Sequence, residues 1–185
     1  MKPSPVPEKR VLAVDPTSRG FGFAILEGPE ILIDWGVKQT RVRKNRRCLK
    51  QVQELIERYE PDIIVLEDCG AKGSRRCLRV RNLIQSFRVL AANRRIPTRC
   101  FSRLRVRQVF SEQEAWTKHQ IATAIARQLP ELKPHLPPFR KPWMSEDERM
   151  AIFDAVALAL TYYRLANLRR IIPSAQGLPL AIHAA

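Results

Sequence analysis

Runs of apolar residues alternate with short polar breaks along the first third of the chain. Val11-Leu12-Ala13-Val14 ends in Asp15, and Pro16-Thr17-Ser18-Arg19 follows with turn chemistry. A second apolar run, Gly20–Leu26, leaves that turn. Gly20 and Gly22 allow close packing beside it. After the Gly28-Pro29 turn, Glu30–Val37 completes three consecutive strands, a meander. The basic stretch Lys38–Arg47 reads as a loop. Leu49, Val52, Leu55 and Ile56 then recur at helical spacing over Cys48–Tyr59, and Pro61 stops that helix.

Asp62–Asp68 is a different kind of segment. Ile63-Ile64-Val65-Leu66 is continuously apolar and bounded by acids, as expected of a strand covered on both faces in a parallel sheet. A helix followed by such a strand is a crossover unit that pairs the fourth strand parallel to the first. Gly70–Arg76 reads as a loop and Cys77–Asn93 as a second helix. Ile96–Phe101 is a fifth strand, Arg103–Phe110 a short helix and Thr117–Leu129 another. Pro134–Pro142, with four prolines, reads as an exposed loop, and Ser145–Ala166 as the last long helix. The order β-β-β-α-β-α-β-α-α predicts an α/β fold with a mixed five-stranded sheet flanked by helices. The domain is expected over residues 11–170, with residues 1–10 and 171–185 as tails.

Three acids break this apolar pattern. Asp15 ends strand one, Glu67 ends strand four, and Asp154 interrupts the Ala/Val/Leu run of the last helix. If strands one and four are parallel neighbours, Asp15 and Glu67 reach the same sheet edge, where ligands bind in such sheets. Ionised acids among apolar neighbours are costly unless paired or metal-bound. A divalent cation would relieve the repulsion among three of them, and all-oxygen ligands suit Mg²⁺ or Mn²⁺. Two such ions about 4 Å apart can activate a water and stabilise the leaving oxygen of a phosphodiester. Each acid also has a purely structural reading. Asp15 can cap its turn, Glu67 can pair with an arginine, and Asp154 can form a buried salt bridge. Asp68 points to the other face of the strand.

Charge narrows the partner. The 185-residue chain carries 33 Lys+Arg against 18 Asp+Glu, a net charge of +15, which attracts polyanions. The basic residues cluster at 41–47, 75–81, 94–107 and 164–170. Arg75, Arg76, Arg79 and Arg81 open the second helix beside Glu67, placed to grip backbone phosphates. Lys118 and His119 can contact a phosphate or lie on a solvated helix face. The four cysteines form no CxxC pair, and the first ten residues have no apolar core of a secretory signal. A cytoplasmic protein with reduced thiols and no membrane span is the expectation.

The segments Val-Asp-Pro-Thr-Ser-Arg-Gly-Phe-Gly-Phe-Ala-Ile, Ile-Ile-Val-Leu-Glu-Asp and Phe-Asp-Ala-Val-Ala-Leu-Ala-Leu-Thr-Tyr resemble, in order and spacing, three motifs of the RuvC-type Holliday junction resolvases of the RNase H-like superfamily. Trp116–Ile121 resembles the segment before that family's penultimate helix. The resemblance spans about residues 11–165. It implies an RNase H-like fold, a homodimer, and Mg²⁺-dependent cleavage of branched DNA to 5′-phosphate and 3′-hydroxyl ends. It assigns Asp15, Glu67 and Asp154 to catalysis and metal binding. The family usually has a fourth acid or a histidine three residues before the last aspartate, where this chain has Ala151. Asp147 shares the helix face of Asp154 but would lie about 10 Å along the axis. Ser145-x-x-Glu148 is a capping box, and Asp147 suits a helix N-terminus.

Two other readings stay open. Without the fourth acid, the same fold can serve as a non-catalytic nucleic-acid-binding module. The Asp-Pro-Thr-Ser-Arg-Gly-Phe-Gly turn also resembles the phosphate loop of sugar-kinase and actin-type ATPases, although the chain is short for their two lobes. The apolar face of the second helix can be core or dimer interface.

Overall fold

The first two strands, β1 (Arg10–Pro16) and β2 (Gly20–Glu27), pair antiparallel from Arg10 opposite Glu27 to Pro16 opposite Phe21. In this computed structural model, which describes residues 8–41, 44–71, 76–141 and 143–171, the turn between them is held by Thr17: its Oγ1 accepts from the Gly20 amide at 3.1 Å. β3 (Leu32–Gln39) continues the meander, with a register shift at Ile25/Leu26. β4 (Ile63–Glu67) lies parallel to β1, and β5 (Thr98–Phe101) parallel to β4. The sheet order is β3-β2-β1-β4-β5. The expected mixed sheet is present, and β1 and β4 are its central parallel pair.

Both faces of that pair are covered, which explains the continuous apolar run of β4. On one face lie α1 (Lys44–Tyr59) and α2 (Leu78–Asn93), burying Val52, Ile56, Leu83 and Phe87 against Leu12, Val14, Ile64 and Leu66. On the other lie α4 (Lys118–Gln128) and α5 (Met150–Ile171), burying Ile121, Ile125, Phe153 and Val156 against Val11, Ala13 and Val65. α3 (Arg103–Ser111) joins this second layer through Val109 and Phe110. The apolar face of α2 is therefore core. The chain has the mixed five-stranded α/β architecture, flanked by helices, that its sequence predicts.

Several element bounds shift by one or two residues from the sequence reading, β3 to Leu32–Gln39 and β5 to Thr98–Phe101 among them, and three larger differences stand out. α1 begins at Lys44 rather than Cys48. Its first turn is polar on every side, so apolar spacing cannot register it, although Lys and Arg are good helix formers. Pro130–His135 forms a 3-10 helix that seats Leu132 in the core. α5 begins at Met150 rather than Ser145, and the capping box at Ser145 does not form. Instead Asp147 closes a turn: its carbonyl accepts from Met150 N at 3.0 Å and its Oδ1 from Arg149 N at 2.9 Å. Of the expected N-terminal tail, residues 8–10 are described and Arg10 opens β1; of the expected C-terminal tail, Ile171 closes α5, and the remaining tail residues lie outside the described residues.

α5 crosses the sheet closely at one point. A Cβ on Gly22 would lie 2.1 Å from the Ala151 carbonyl oxygen. Gly22 and Ala151 are thus a small-on-small contact that lets the helix settle onto β2. Gly22 is also the antiparallel partner of Asp15. The same contact that seats α5 brings Asp154, one turn further on, to the end of β1. At the other end, the Tyr163 hydroxyl donates to Lys9 O at 2.6 Å and accepts from Gly28 N at 3.0 Å. That clamp ties α5 to the β2–β3 turn, where Gly28 holds φ at 82°.

Candidate active site

Asp15, Glu67 and Asp154 line one small cavity of about 50 Å³, together with Arg103, Arg107 and Lys118. Each acid arrives from a different element. Asp15 stands at the end of β1 and Glu67 at the end of its parallel neighbour β4, so the strand directions alone put them on one edge. Asp154 descends from α5. Asp15 is 3% exposed and Glu67 4%, while the Asp154 side chain keeps partial access to solvent.

Buried carboxylates so close need counter-charge, and basic side chains of the chain supply it. Arg76 precedes α2 and turns inward. Its Nη2 donates to Asp15 Oδ1 at 2.5 Å and also to Glu67 Oε2, its Nε to Glu67 Oε2 at 2.7 Å, and its Nη1 to the Pro16 carbonyl at 2.8 Å. Arg103 Nε donates to the other Glu67 oxygen at 3.0 Å. Lys118 Nζ bridges Asp154 Oδ2 at 2.7 Å and Glu146 Oε1 at 2.8 Å. Lys118 is held there by its place at the first position of α4. A capping box precedes it, in which Thr117 and Gln120 exchange hydrogen bonds.

The environments push these groups apart. Burial raises the Asp15 carboxyl to about 8, against the pull of Arg76 and with help from the Asp154 and Glu67 charges. Burial would raise Glu67 too, but Arg76 and Arg103 outweigh it and hold Glu67 below the ordinary carboxylate range. Burial disfavours the charges of Arg76 and Lys118. The carboxylates outweigh it, Asp15 and Glu67 for Arg76, Asp154 and Glu146 for Lys118, so both cations are raised. Two neighbouring acids, one drawn toward its neutral form and one held ionised, are a pattern of proton-handling sites.

The other residues singled out by the sequence fall in different places. His119 leaves the carboxylate cavity: its Nε2 lies 3.2 Å from the Pro137 carbonyl and its ring packs edge-on against Phe139. Arg79 is spent on structure, donating to Thr17 O at 2.7 Å and to Asn45 Oδ1 at 2.9 Å. Arg81 is exposed on α2. Arg75 lies outside the described residues. Asp147 does not join the three acids. It precedes α5 rather than riding on it, and its carboxylate is taken by the Arg149 backbone and guanidinium. Ala151, at the position expected to carry a fourth acid, is buried against Gly22.

Sequence reading missed the inward turn of Arg76, and Arg103, Arg107 and Glu146. Three of these are arginines within basic clusters, and nothing in a run of arginines says which one faces an acid.

The donor chemistry suits a hard divalent cation: three carboxylates, no thiol or imidazole, at a buried strand edge. The arrangement in this structure is balanced by side-chain cations instead. Held by Arg76 and Lys118, the three acids are not drawn together as a metal would draw them, and among the described residues no three of His, Cys, Asp and Glu are grouped so as to hold an ion in this arrangement. No helix among the described residues is long and apolar enough to cross a membrane, and the four cysteines are free.

No family model matches the chain, and no curated protein matches it. Solved structures do. T. thermophilus RuvC in complex with a Holliday junction substrate aligns at a TM-score of 0.64 and 18% identity, covering 87% of this chain and 96% of that one. The yeast mitochondrial Holliday junction resolvase Ydc2 aligns at 0.61 and 18%, covering 91% and 85%. The Fowlpox virus resolvase in complex with Holliday junction DNA aligns at 0.50 and 17%, covering 84% and 99%. At these identities the shared property is the fold, and the chain has the RNase H-like fold of the RuvC-type resolvases over most of its length.

Proposed function

We propose that the protein is a metal-dependent, structure-selective endonuclease that cuts phosphodiester bonds of branched DNA such as Holliday junctions. The observation that carries this reading is the convergence of Asp15, Glu67 and Asp154 on one cavity of a strongly basic chain whose fold is that of the resolvases. Mg²⁺ or Mn²⁺, as a pair of ions, would be held by those three acids. Bound there, the metal supplies a nucleophilic water and charge stabilisation for the leaving oxygen.

The chain's own residues do the rest. Arg103 and Arg107 on α3 give a phosphate two cations at the mouth of the cavity. Lys118 pairs with Asp154 in the resting state and, when Asp154 takes another cation, its ammonium is free to face the scissile phosphate. Symmetric cutting of a four-way junction needs two such sites, which a homodimer would provide.

A second reading has its own support. Arg76 and Lys118 already neutralise the acids, and position 151 carries no acid, so a junction-binding module without cleavage fits the same fold. Incubation of the purified chain with a four-way junction in Mg²⁺ or Mn²⁺ separates the two. Nicking that Asp154→Asn removes supports the nuclease. Tight, salt-sensitive binding with no product in either metal supports the binding module.

A further inference from the structure

The stretch between the 3-10 helix and α5 forms a second feature that the carboxylate site does not use. A cleft of about 500 Å³ is lined by Lys118, His119, Phe139, Arg140, Met144 and Glu146, among others. It adjoins the carboxylate cavity, since Lys118 lines both. Phe139, which lines the cleft, is 74% exposed, and Trp143, next to the lining residue Met144, is 78% exposed. Large aromatic rings left in water beside a charged site mark an interaction surface.

The charges around these rings identify the partner. The acids of the segment each have a partner: Glu146 has Lys118, Asp147 has Arg149, and Glu148 accepts from Gln39. Arg140 and Lys141 make no ion pair among the described residues. Lys141 Nζ stands 5.5 Å from the centre of the Trp143 ring, and the His119 ring supports Phe139 edge-on at 5.5 Å. Phe139, Arg140, Lys141 and Trp143 thus bring two rings and two unneutralised cations into one short stretch of chain beside the cleft. Pro137 and Pro138 restrict the backbone that carries them, which lowers the entropy lost on binding.

We infer that Phe139 and Trp143 are a stacking platform for unpaired nucleotides of a nucleic-acid strand, with Arg140 and Lys141 holding its phosphates. Stacking on aromatic rings backed by cations is how unpaired strands are gripped without reading sequence. A platform that borders the carboxylate cavity would hold strands opened at a branch point beside the bond to be cut. In that placement the inference rests on the proposed nuclease reading; the affinity for unpaired strands stands without it.

The test measures binding of the full chain in EDTA to three DNAs: an oligothymidylate, a four-way junction and a fully paired duplex. Phe139→Ala and Trp143→Ala are each expected to weaken oligothymidylate and junction binding by about tenfold. Duplex affinity and the salt dependence should stay as in wild type. The double variant Arg140→Gln/Lys141→Gln should instead lower the slope of log affinity against log salt by about two on oligothymidylate and the junction, and leave the duplex slope unchanged. Both rings are exposed, so unchanged circular dichroism and Tm are expected. The inference is overturned if the aromatic variants bind every DNA like wild type, lose all three equally, or change the sedimentation of the protein alone, which would make the rim a protein interface. Wild type that grips oligothymidylate through these rings yet never cuts junctions would sink the nuclease reading and leave the platform standing.

Discussion

The Arg76 guanidinium donates to the Asp15 carboxylate at 2.5 Å while the same side chain grips Glu67. One cation of the chain therefore helps hold Glu67 ionised and offsets part of what burial costs an ionised Asp15. Breaking a buried pair by removing one partner is strongly destabilising, by about 3–5 kcal/mol, because the remaining charge is left uncompensated. Here the remaining charges are the ones proposed to bind a metal. Arg76→Gln is expected to lower Tm without metal, to bind Mn²⁺ at least several-fold more tightly than wild type by calorimetry, and to regain stability when Mn²⁺ is added. Weaker Mn²⁺ binding by the variant would instead make Arg76 a support that holds the carboxylates in place.

Asp15 gives a pH signature. Its carboxyl is raised to about 8 by burial, so the native state holds this proton more tightly than the unfolded chain does. Its contribution to stability is intact at low pH and falls as pH rises from the ordinary carboxylate range through about 8. Asp15→Asn removes that loss. In EDTA the variant should equal wild type in Tm near pH 4 and exceed it by several degrees at pH 8, a chain of this size gaining about 2–4 °C per kcal/mol. The same variant should not cleave DNA. A Tm difference independent of pH would contradict the assignment.

Gly22 governs the seat of α5. A methyl group there would meet the Ala151 backbone at 2.1 Å, and backbone cannot rotate away. Gly22→Ala should lift α5 from β2, costing roughly 1–3 kcal/mol as overpacking does, and displace Asp154. Thermal unfolding and Mn²⁺ titration should both register the loss. Gly36→Ala is the control, since its nearest neighbour is an edge of the Phe23 ring at 3.2 Å, and it should leave metal binding unchanged.

Tyr163 tests the other end of the helix. Its hydroxyl links Lys9, Gly28 and α5 inside the protein. Tyr163→Phe leaves a buried amide and carbonyl without that partner, at about 1–3 kcal/mol. Tm should fall by several degrees while junction affinity is kept.

The layout of the sheet was legible because its signals are local. β1 and β2 flank a turn with clear chemistry, and the unbroken Ile63–Leu66 run, short and bounded by acids, fits a strand covered on both faces. That run, with the parallel rule, also located Asp15 and Glu67 on one edge. Asp154 stood out as an acid in an Ala/Val/Leu helix. The start of α5 was not legible: Ser145-x-x-Glu148 and Asp147 both make good helix openings, and the choice between them depends on where Met150 meets the core. Nor was the inward turn of Arg76, since Arg76 and Arg79 sit three residues apart in one cluster and are sent to different partners by tertiary contacts. The meaning of Ala151 emerged only with Gly22 opposite it.

The central claim is that the three converging acids cut branched DNA. It is tested most directly by incubating wild type and Asp154→Asn with a four-way junction labelled on each strand, in Mg²⁺ and in Mn²⁺. The account predicts metal-dependent paired nicks at the branch from wild type and none from Asp154→Asn at equal junction affinity. Binding by wild type without nicks in either metal, or equal nicking by Asp154→Asn, would contradict it.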